Sequence, residues 1–295
     1  MASGKGESSV TSPPTDRVVS IIELLSARDT PATSADLADA LGLSRSTTGS
    51  ILGTLQQRGW VTRLPDLRYR IGPGLASIAG RAHSTLDLPA DASAHLEALA
   101  SRVRCGAALA LIDGSELVFV AMTGGLGHIP AGIDVGISLP MQAPAGASVI
   151  AFSDPAAQQR WLDTAPRDRR GRYADFLREV ATIGVAVWGA EAADIDRIDV
   201  LSQVVTHLAV NPANHRLREQ VQALIGDISG YPYTVDALES PEALPISYLS
   251  TPVFDASGAP RWELQIGPLR PAVTPDERRT YIEELTAVAH VLSGR

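Results

Sequence analysis

Six arginines, Arg45, Arg58, Arg63, Arg68, Arg70 and Arg81, fall within residues 41–81 against a single acid, Asp66. That segment carries +5 in a chain of net charge −8, so the remaining residues sum to −13. Guanidinium groups can pair bidentately with phosphate oxygens or with the O6/N7 edge of guanine. A basic block on an acidic body is the footprint of a nucleic-acid-facing segment. The bland alternative is a solvated basic face, and the pattern of the surrounding residues has to decide. Arginine usage as such carries no weight, because Lys5 is the sole lysine and the bias runs through the whole chain.

Other chemistries find little to work with. The single cysteine, Cys105, excludes an internal disulfide framework and any Cys-rich zinc or iron–sulfur site. It opens an apolar strand, where a thiol packs as a small buried residue rather than acting as a nucleophile. His207 and His215 stand eight apart, outside the i, i+4 spacing of a helical metal pair. Asp194, Asp196 and Asp199 read as a charged helix face without a calcium-binding partner set. GGLGHIPAGIDVG, residues 124–136, has neither the GxGxxG register nor a GK[ST] sequence, so its glycines read as loop glycines. There is no GxSxG, HExxH or CxxC. The expectation is a protein that is not an enzyme and holds no cofactor or metal.

With 295 residues, 45% hydrophobic and 20% charged, the chain has material for about two domains with real cores. No apolar run approaches the ~20 residues that span a bilayer, and MASGKGESSVTSPPTD lacks the apolar segment of a secretory signal. The expectation is a cytoplasmic α+β protein with no membrane partner. Its parts are a disordered tail over 1–15, a DNA-binding domain over 16–80, linker helices over 81–103 and a second domain over 104–295.

The elements around the arginines explain their grouping. Val18, Ile21, Ile22 and Leu25 recur at i, i+3, i+4, i+7, the stripe of an amphipathic helix. Thr33 can cap a short second helix with Asp36 at its third position, and Gly42 stops it. Ser44 caps a third helix, with Ile51, Leu52 and Leu55 facing inward. Short helix, glycine turn, longer helix is a helix-turn-helix, whose second helix reads DNA with its N-terminal residues. Here those are Ser44, Arg45, Ser46, Thr47, Thr48, Gly49 and Ser50. Two short strands, Val61–Arg63 and Arg68–Ile71, joined at Pro65-Asp66, then form a wing that carries Arg63, Arg68 and Arg70 toward phosphates or a minor groove.

Beyond the wing, Gly74–Thr85 and a stretch after Asp91 read as two helices joined at Pro89, a linker and a plausible dimer contact. From Cys105 the period changes to two. CGAALALID and ELVFVAMTG pair as a hairpin through Asp113-Gly114, and ISYLSTPVFDASGAPRWELQIG pairs through Ser257-Gly258. Ala145-Gly146-Ala147 is expected to open a helix with free backbone N–H groups for an acidic or carbonyl ligand. A final helix starts at Thr274-Pro275.

With these residues in place, the chain resembles the IclR family of bacterial transcription regulators over about residues 16–190 and 241–294. The resemblance rests on RVVSIIELL, TSADLADALGLSRSTTGSILGTLQQRGWV, RYRIGPGL, GISLPMQAPAGASVIAF, LREVATIGVAV and ISYLSTPVFDASGAPRWELQIGP, in that order. It implies a winged helix-turn-helix, a linker helix and a GAF-like effector-binding domain. It also implies homodimers or tetramers on palindromic double-stranded operators, effectors among organic acids and aromatic metabolites, and regulation by repression or activation. Gly49-Ser50 stand where the family often has His-Arg, so base preference should differ. The effector loop corresponds to Met141, Gln142, Ala145 and Gly146, with backbone donors at Ala145 and Gly146. Farther on, where the family often has Asp, Cys and two Ser, this chain has Trp188 or Gly189, Tyr248, Gln265 and Gly267. Two aromatics and an amide imply either a larger, less polar ligand or an occluded pocket; Trp188 and Tyr248 as plain core residues are the alternative.

Residues 191–240 depart from the family's short link. DIDRIDVLSQVVTHLAV and HRLREQVQALIGDIS both show helical spacing, which predicts a helical insertion that lids the pocket or adds an oligomer contact. The functional expectation is a sequence-specific DNA-binding regulator under small-molecule control. The competing class is a ligand sensor working through protein contacts without specific DNA binding; the +5 segment argues against it.

Overall fold

The computed structural model describes residues 12–26, 28, 30–85, 88–123, 135–209, 217 and 230–294. Residues 1–11 of the expected tail, glycine-rich 124–134 and all of the second expected insertion helix except Leu217 lie outside the described residues. The chain forms two compact units, Met1–Leu88 with Thr206–Glu219, and Pro89–Val205 with Gln220–Arg295.

In the first unit, α1 (Pro13–Ser26), α2 (Ser34–Leu41) and α3 (Arg45–Gln57) precede β2 (Val61–Arg63), β3 (Arg68–Ile71) and α4 (Pro73–Thr85). Thr33 and Asp36 form a reciprocal cap: Asp36 N donates to Thr33 Oγ1 at 3.1 Å and Thr33 N to Asp36 Oδ2 at 2.9 Å. Accepting from the Thr33 N–H first, and next from the Thr33 side chain, holds the Asp36 carboxyl below its ordinary range. Gly42 ends α2 at φ 62°, a conformation that strains residues bearing a Cβ. Ile21, Leu24, Leu25, Leu37, Leu52, Leu55, Val61 and Tyr69 form the core, and Val18, Ile22 and Ile51 of the expected stripes pack against it half-buried. The wing has a third member absent from the sequence reading. Ala32–Thr33 form β1, which pairs with β3 through Ala32↔Tyr69 and gives the order β1-β3-β2. Two residues are too short to show strand periodicity, and only pairing with β3 defines them.

The second unit opens with α5 (Ala92–Val103) and is built on a seven-stranded antiparallel sheet. Its strands are β4 (Gly106–Asp113), β5 (Glu116–Thr123), β6 (Ser138–Pro140), β7 (Ala186–Gly189), β8 (Tyr231–Pro232), β10 (Tyr248–Phe254) and β11 (Pro260–Gly267). They run in the order β6-β5-β4-β11-β10-β7-β8. The second hairpin thus inserts beside the first. Its register is Gln265↔Ala108 on one side and Gln265↔Ser250 on the other, continuing Ser250↔Ala186. One face carries α6 (Ala147–Ile150), α7 (Pro155–Thr164) and α8 (Arg170–Ile183), which leaves the other to α5 and α11 (Pro275–Leu292). The architecture is α+β, a winged helix-turn-helix followed by a GAF-like sheet domain. Ile246 belongs not to the long hairpin but to β9 (Leu244–Ile246), paired with β12 (Arg270–Val273).

In the 191–240 region, α9 (Ala192–Ala209) realises the first expected helix, with Ile195 and Ile198 buried. A one-turn helix, α10 (Val235–Leu238), follows the edge strand β8.

The start of α11 carries a pH-dependent cap. Glu277 accepts from Thr274 N at 2.9 Å and from Arg270 Nη1 at 2.6 Å. Arg270 first, and the cap next, bring its carboxyl down to about 2. A depressed carboxylate contributes stability above its unfolded value, and that contribution vanishes as pH falls through the folded one. The Glu277 side chain is 37% exposed, so screening holds the gain to about 1 kcal/mol or less. Glu277→Gln is therefore expected to lower stability by up to that amount at pH 7. Urea titrations at successive pH values should show the difference from wild type closing between about 4.5 and about 2. A gap unchanged at the acid end would refute the ionic origin.

Candidate nucleic-acid interface and ligand cluster

Helix α3 leads with its N-terminus. Ser44 caps it, accepting from Thr47 N at 3.0 Å, and the two hydroxyls lie 2.8 Å apart. Arg45, Ser46, Gly49 and Ser50 are exposed and Thr47 is half-buried. Thr48 corrects the sequence reading. It is fully buried and donates its hydroxyl to Ser44 O at 3.2 Å, so it faces the core and not DNA. Residues three and four apart share a helix face, and Thr48 shares that of Leu52 and Leu55. The exposed side has one guanidinium, small hydroxyls and two positions, Gly49 and Gly53, where nothing lies within 4 Å of an added Cβ. The free N–H groups of the first turn add positive potential there.

The wing presents Arg63, Arg68 and Arg70 outward while Tyr69 points into the core. The Arg63 guanidinium lies 5.8 Å from the Tyr69 ring centroid. Asp66 makes an Asx turn, accepting from Arg68 N at 3.2 Å, and its carboxylate lies 3.7 Å from the Arg68 guanidinium. The one acid of the basic segment thus builds the turn, at some cost to the charge of Arg68.

In the second unit, Met141, Trp188 and Tyr248 of the expected effector residues meet in one core cluster. Helix α6 has four residues, too short for a helix N-terminal anion site, and the Ala145 N–H is already bonded to Gln142 O at 2.7 Å. The backbone-donor role expected of Ala145 is therefore withdrawn. Gly146 is buried at φ 77° with the Met141 side chain against it, and Gln142 is exposed. Trp188 is 1% exposed, packed with Trp161, Tyr173 and Phe176 and stacked on Tyr248 at 5.9 Å. It is a core residue on this sheet face, and its Nε1 is buried with no acceptor among the described residues.

Gln265 leads to a residue the sequence reading missed. Its Nε2 donates to Glu263 Oε1 at 2.5 Å, and Ser148 on α6 donates to Glu263 Oε2 at 2.5 Å. Ser250 bonds the same carboxyl, and among the described residues no basic side chain pairs with it. Glu263 is 1% exposed, and burial pushes its carboxyl above the ordinary range. Burial, and next the Glu263 carboxylate, also hold the Tyr248 hydroxyl well above its own range. The signal was present in the sequence: Glu263 and Gln265 sit at i, i+2, interleaved with Trp262, Leu264 and Ile266, on one pleat face. Cys105 is buried with its thiol pushed up to about 12, an inert core residue.

The profile of the IclR helix-turn-helix domain matches residues 14–65. Among characterised proteins, the HTH-type transcriptional regulator XynR of Escherichia coli K12 is 29% identical over 136 residues, 46% of this chain and 54% of that protein. The Pca operon regulatory protein of Acinetobacter baylyi is 26% identical over 161 residues, 51% of this chain and 58% of that one. The matched regions thus span little more than half the length of these relatives. Among solved structures, Thermotoga maritima IclR superposes with a TM-score of 0.55 at 18% identity, covering 96% of this chain and 98% of that one. Pseudomonas aeruginosa HmgR does so with 0.52 at 17% identity, covering 96% and 99%. Residues 14–65 thus carry the sequence of an IclR helix-turn-helix domain, and the fold of the chain is similar to that of Thermotoga maritima IclR.

Proposed function

We propose that the protein is a sequence-specific DNA-binding regulator whose operator affinity is set by a small organic effector held in the second unit. The observation that carries this reading is the exposed N-terminal turn of α3, with Arg45, Ser46, Gly49 and Ser50, together with the outward-facing wing arginines Arg63, Arg68 and Arg70. Arg45 donates to a base edge, and the wing arginines to phosphates or the minor groove. Gly49 lets the helix approach the duplex closely. A homodimer, or a tetramer of such dimers, in the cytoplasm would place two recognition helices on palindromic half-sites about 34 Å apart or a multiple of it. The effector acts only through its differential affinity for the DNA-competent form.

The test is binding to fragments of the protein's own promoter region and to random DNA across a salt series. The expected result is a preference of about 10³ or more for one fragment, with affinity falling linearly in log salt. Arg45→Ala should cost about ten- to a hundred-fold on that fragment and little on random DNA. Arg68→Ala should weaken both alike and reduce the salt slope by about one. Equal losses on both DNAs from the two variants would contradict the assigned roles.

A further inference from the structure

The polar cluster on the inner sheet face has an unusual charge balance. Glu263 is buried at the centre of the sheet, on β11 between β4 and β10. Its two oxygens accept from Gln265 Nε2 and Ser148 Oγ, both neutral donors, and Ser250 adds a third. A buried carboxylate costs several kcal/mol unless a cation or a full set of donors offsets it. Among the described residues the protein supplies the neutral donors and no cation. On the same face stand the stacked rings of Trp188 and Tyr248. The Trp188 Nε1 is buried with no acceptor among the described residues.

We infer that this cluster binds a small molecule that pairs a cationic nitrogen, an ammonium or amidinium, with Glu263 and lays an aromatic body toward Trp188 and Tyr248. This deepens the effector reading and rests on it. The charge preference is opposite to that of a pocket built for organic acids. In the unliganded protein the Gln265 amide occupies the Glu263 oxygen that the nitrogen takes over. Binding exchanges a neutral donor for a cationic one, so the carboxylate gains an opposite charge in addition to the hydrogen bond. An anion placed there would meet the carboxylate head-on.

The test is calorimetric titration of the full chain with four probes on one ring: benzylamine and benzamidine as cations, benzyl alcohol as neutral, benzoate as anion. The expected result is binding of at least one cation, at least ten-fold tighter than the alcohol and the benzoate. Glu263→Gln, nearly isosteric, should cut cation affinity about ten- to a hundred-fold and leave the alcohol unchanged, with folding checked by circular dichroism. Should that variant not fold, the order of the four probes on the wild type decides. Benzoate binding as tightly as the cations, no heat from either cation, or a folded Glu263→Gln protein with undiminished cation affinity would each overturn the inference. Promoter binding measured in parallel separates the two readings. A cation that binds without altering DNA affinity upholds the site and refutes effector coupling. A shift in DNA affinity under benzoate alone upholds coupling and refutes the cation preference.

Discussion

Replacing Gly72 with alanine should unfold the winged helix. Gly72 follows the wing, and its N–H donates to Trp60 O at 2.8 Å. A Cβ there would lie 2.4 Å from Gly59 O and 3.0 Å from the carbonyl carbons of Trp60 and Val61. All three are backbone atoms, so no side chain can swing aside. Either the crossing of the chain between α3 and β2 gives way, or the bond that ties it to β3 breaks. Gly74 makes the same kind of approach, 2.8 Å from Gly59 O, so the segment has no slack beside it. The expected cost is about 3 kcal/mol or more, a large part of the stability of a small unit. Hydrogen exchange should show loss of protection at the α1–α3 amides while the β4 and β11 amides keep theirs. Gly53→Ala is the matched control. Gly53 lies mid-helix on the exposed side of α3 with nothing within 4 Å of an added Cβ, so alanine should add up to about 1 kcal/mol. Full α1–α3 protection in Gly72→Ala would refute the close approach.

Arg278→Met should be the most damaging change in the second unit. Arg278 lies in the first turn of α11, where the helix dipole disfavours a cation, and is 2% exposed. It is held there by carbonyls. Its guanidinium donates to Glu242 O at 2.8 Å, Val273 O at 2.9 Å, Leu238 O at 3.1 and 3.3 Å, and Ser240 O. Burial lowers its pKa from the ordinary value, yet a guanidinium stays charged across the working pH range. Methionine approximates the volume and supplies no donor. Carbonyls of the turn after α10 would then lose these bonds, at about 1–3 kcal/mol for each left unsatisfied, so a total above about 3 kcal/mol is expected. Arg278→Lys offers one ammonium for carbonyls spread along 238–242 and at 273, and should recover only part. Denaturant midpoints ordered wild type, then lysine, then methionine would support the role. Equal midpoints would show that the fork geometry does not matter.

Much of the first unit was legible because its determinants are local. The Thr33–Asp36 and Ser44–Thr47 caps each span three residues, Gly42 acts at its own φ, and the core stripes of α1 to α3 follow from the helical period. The wing was read from alternation around Tyr69 and a turn residue, Asp66, that bonds its near neighbour. Even there, a helix face has an edge, and Thr48 falls on its buried side because helix packing, not polarity, chose the orientation. In the second unit the hairpins were visible from the period-two pattern, but their order was not. Insertion of β11 between β4 and β10 is a choice among distant pairings that no short window contains. That choice brings Ser148 to Glu263 across 115 positions and Arg278 to carbonyls 36 to 40 positions away. The residue types, the helices and hairpins, and the basic face of α3 and the wing were determined by the sequence by itself. Which polar groups become buried, which backbone donors are already taken, as at Ala145, and where a carboxylate loses its water were decided only by the tertiary structure. Those outcomes depend on desolvation, and desolvation is set by what packs on a group from elsewhere in the chain.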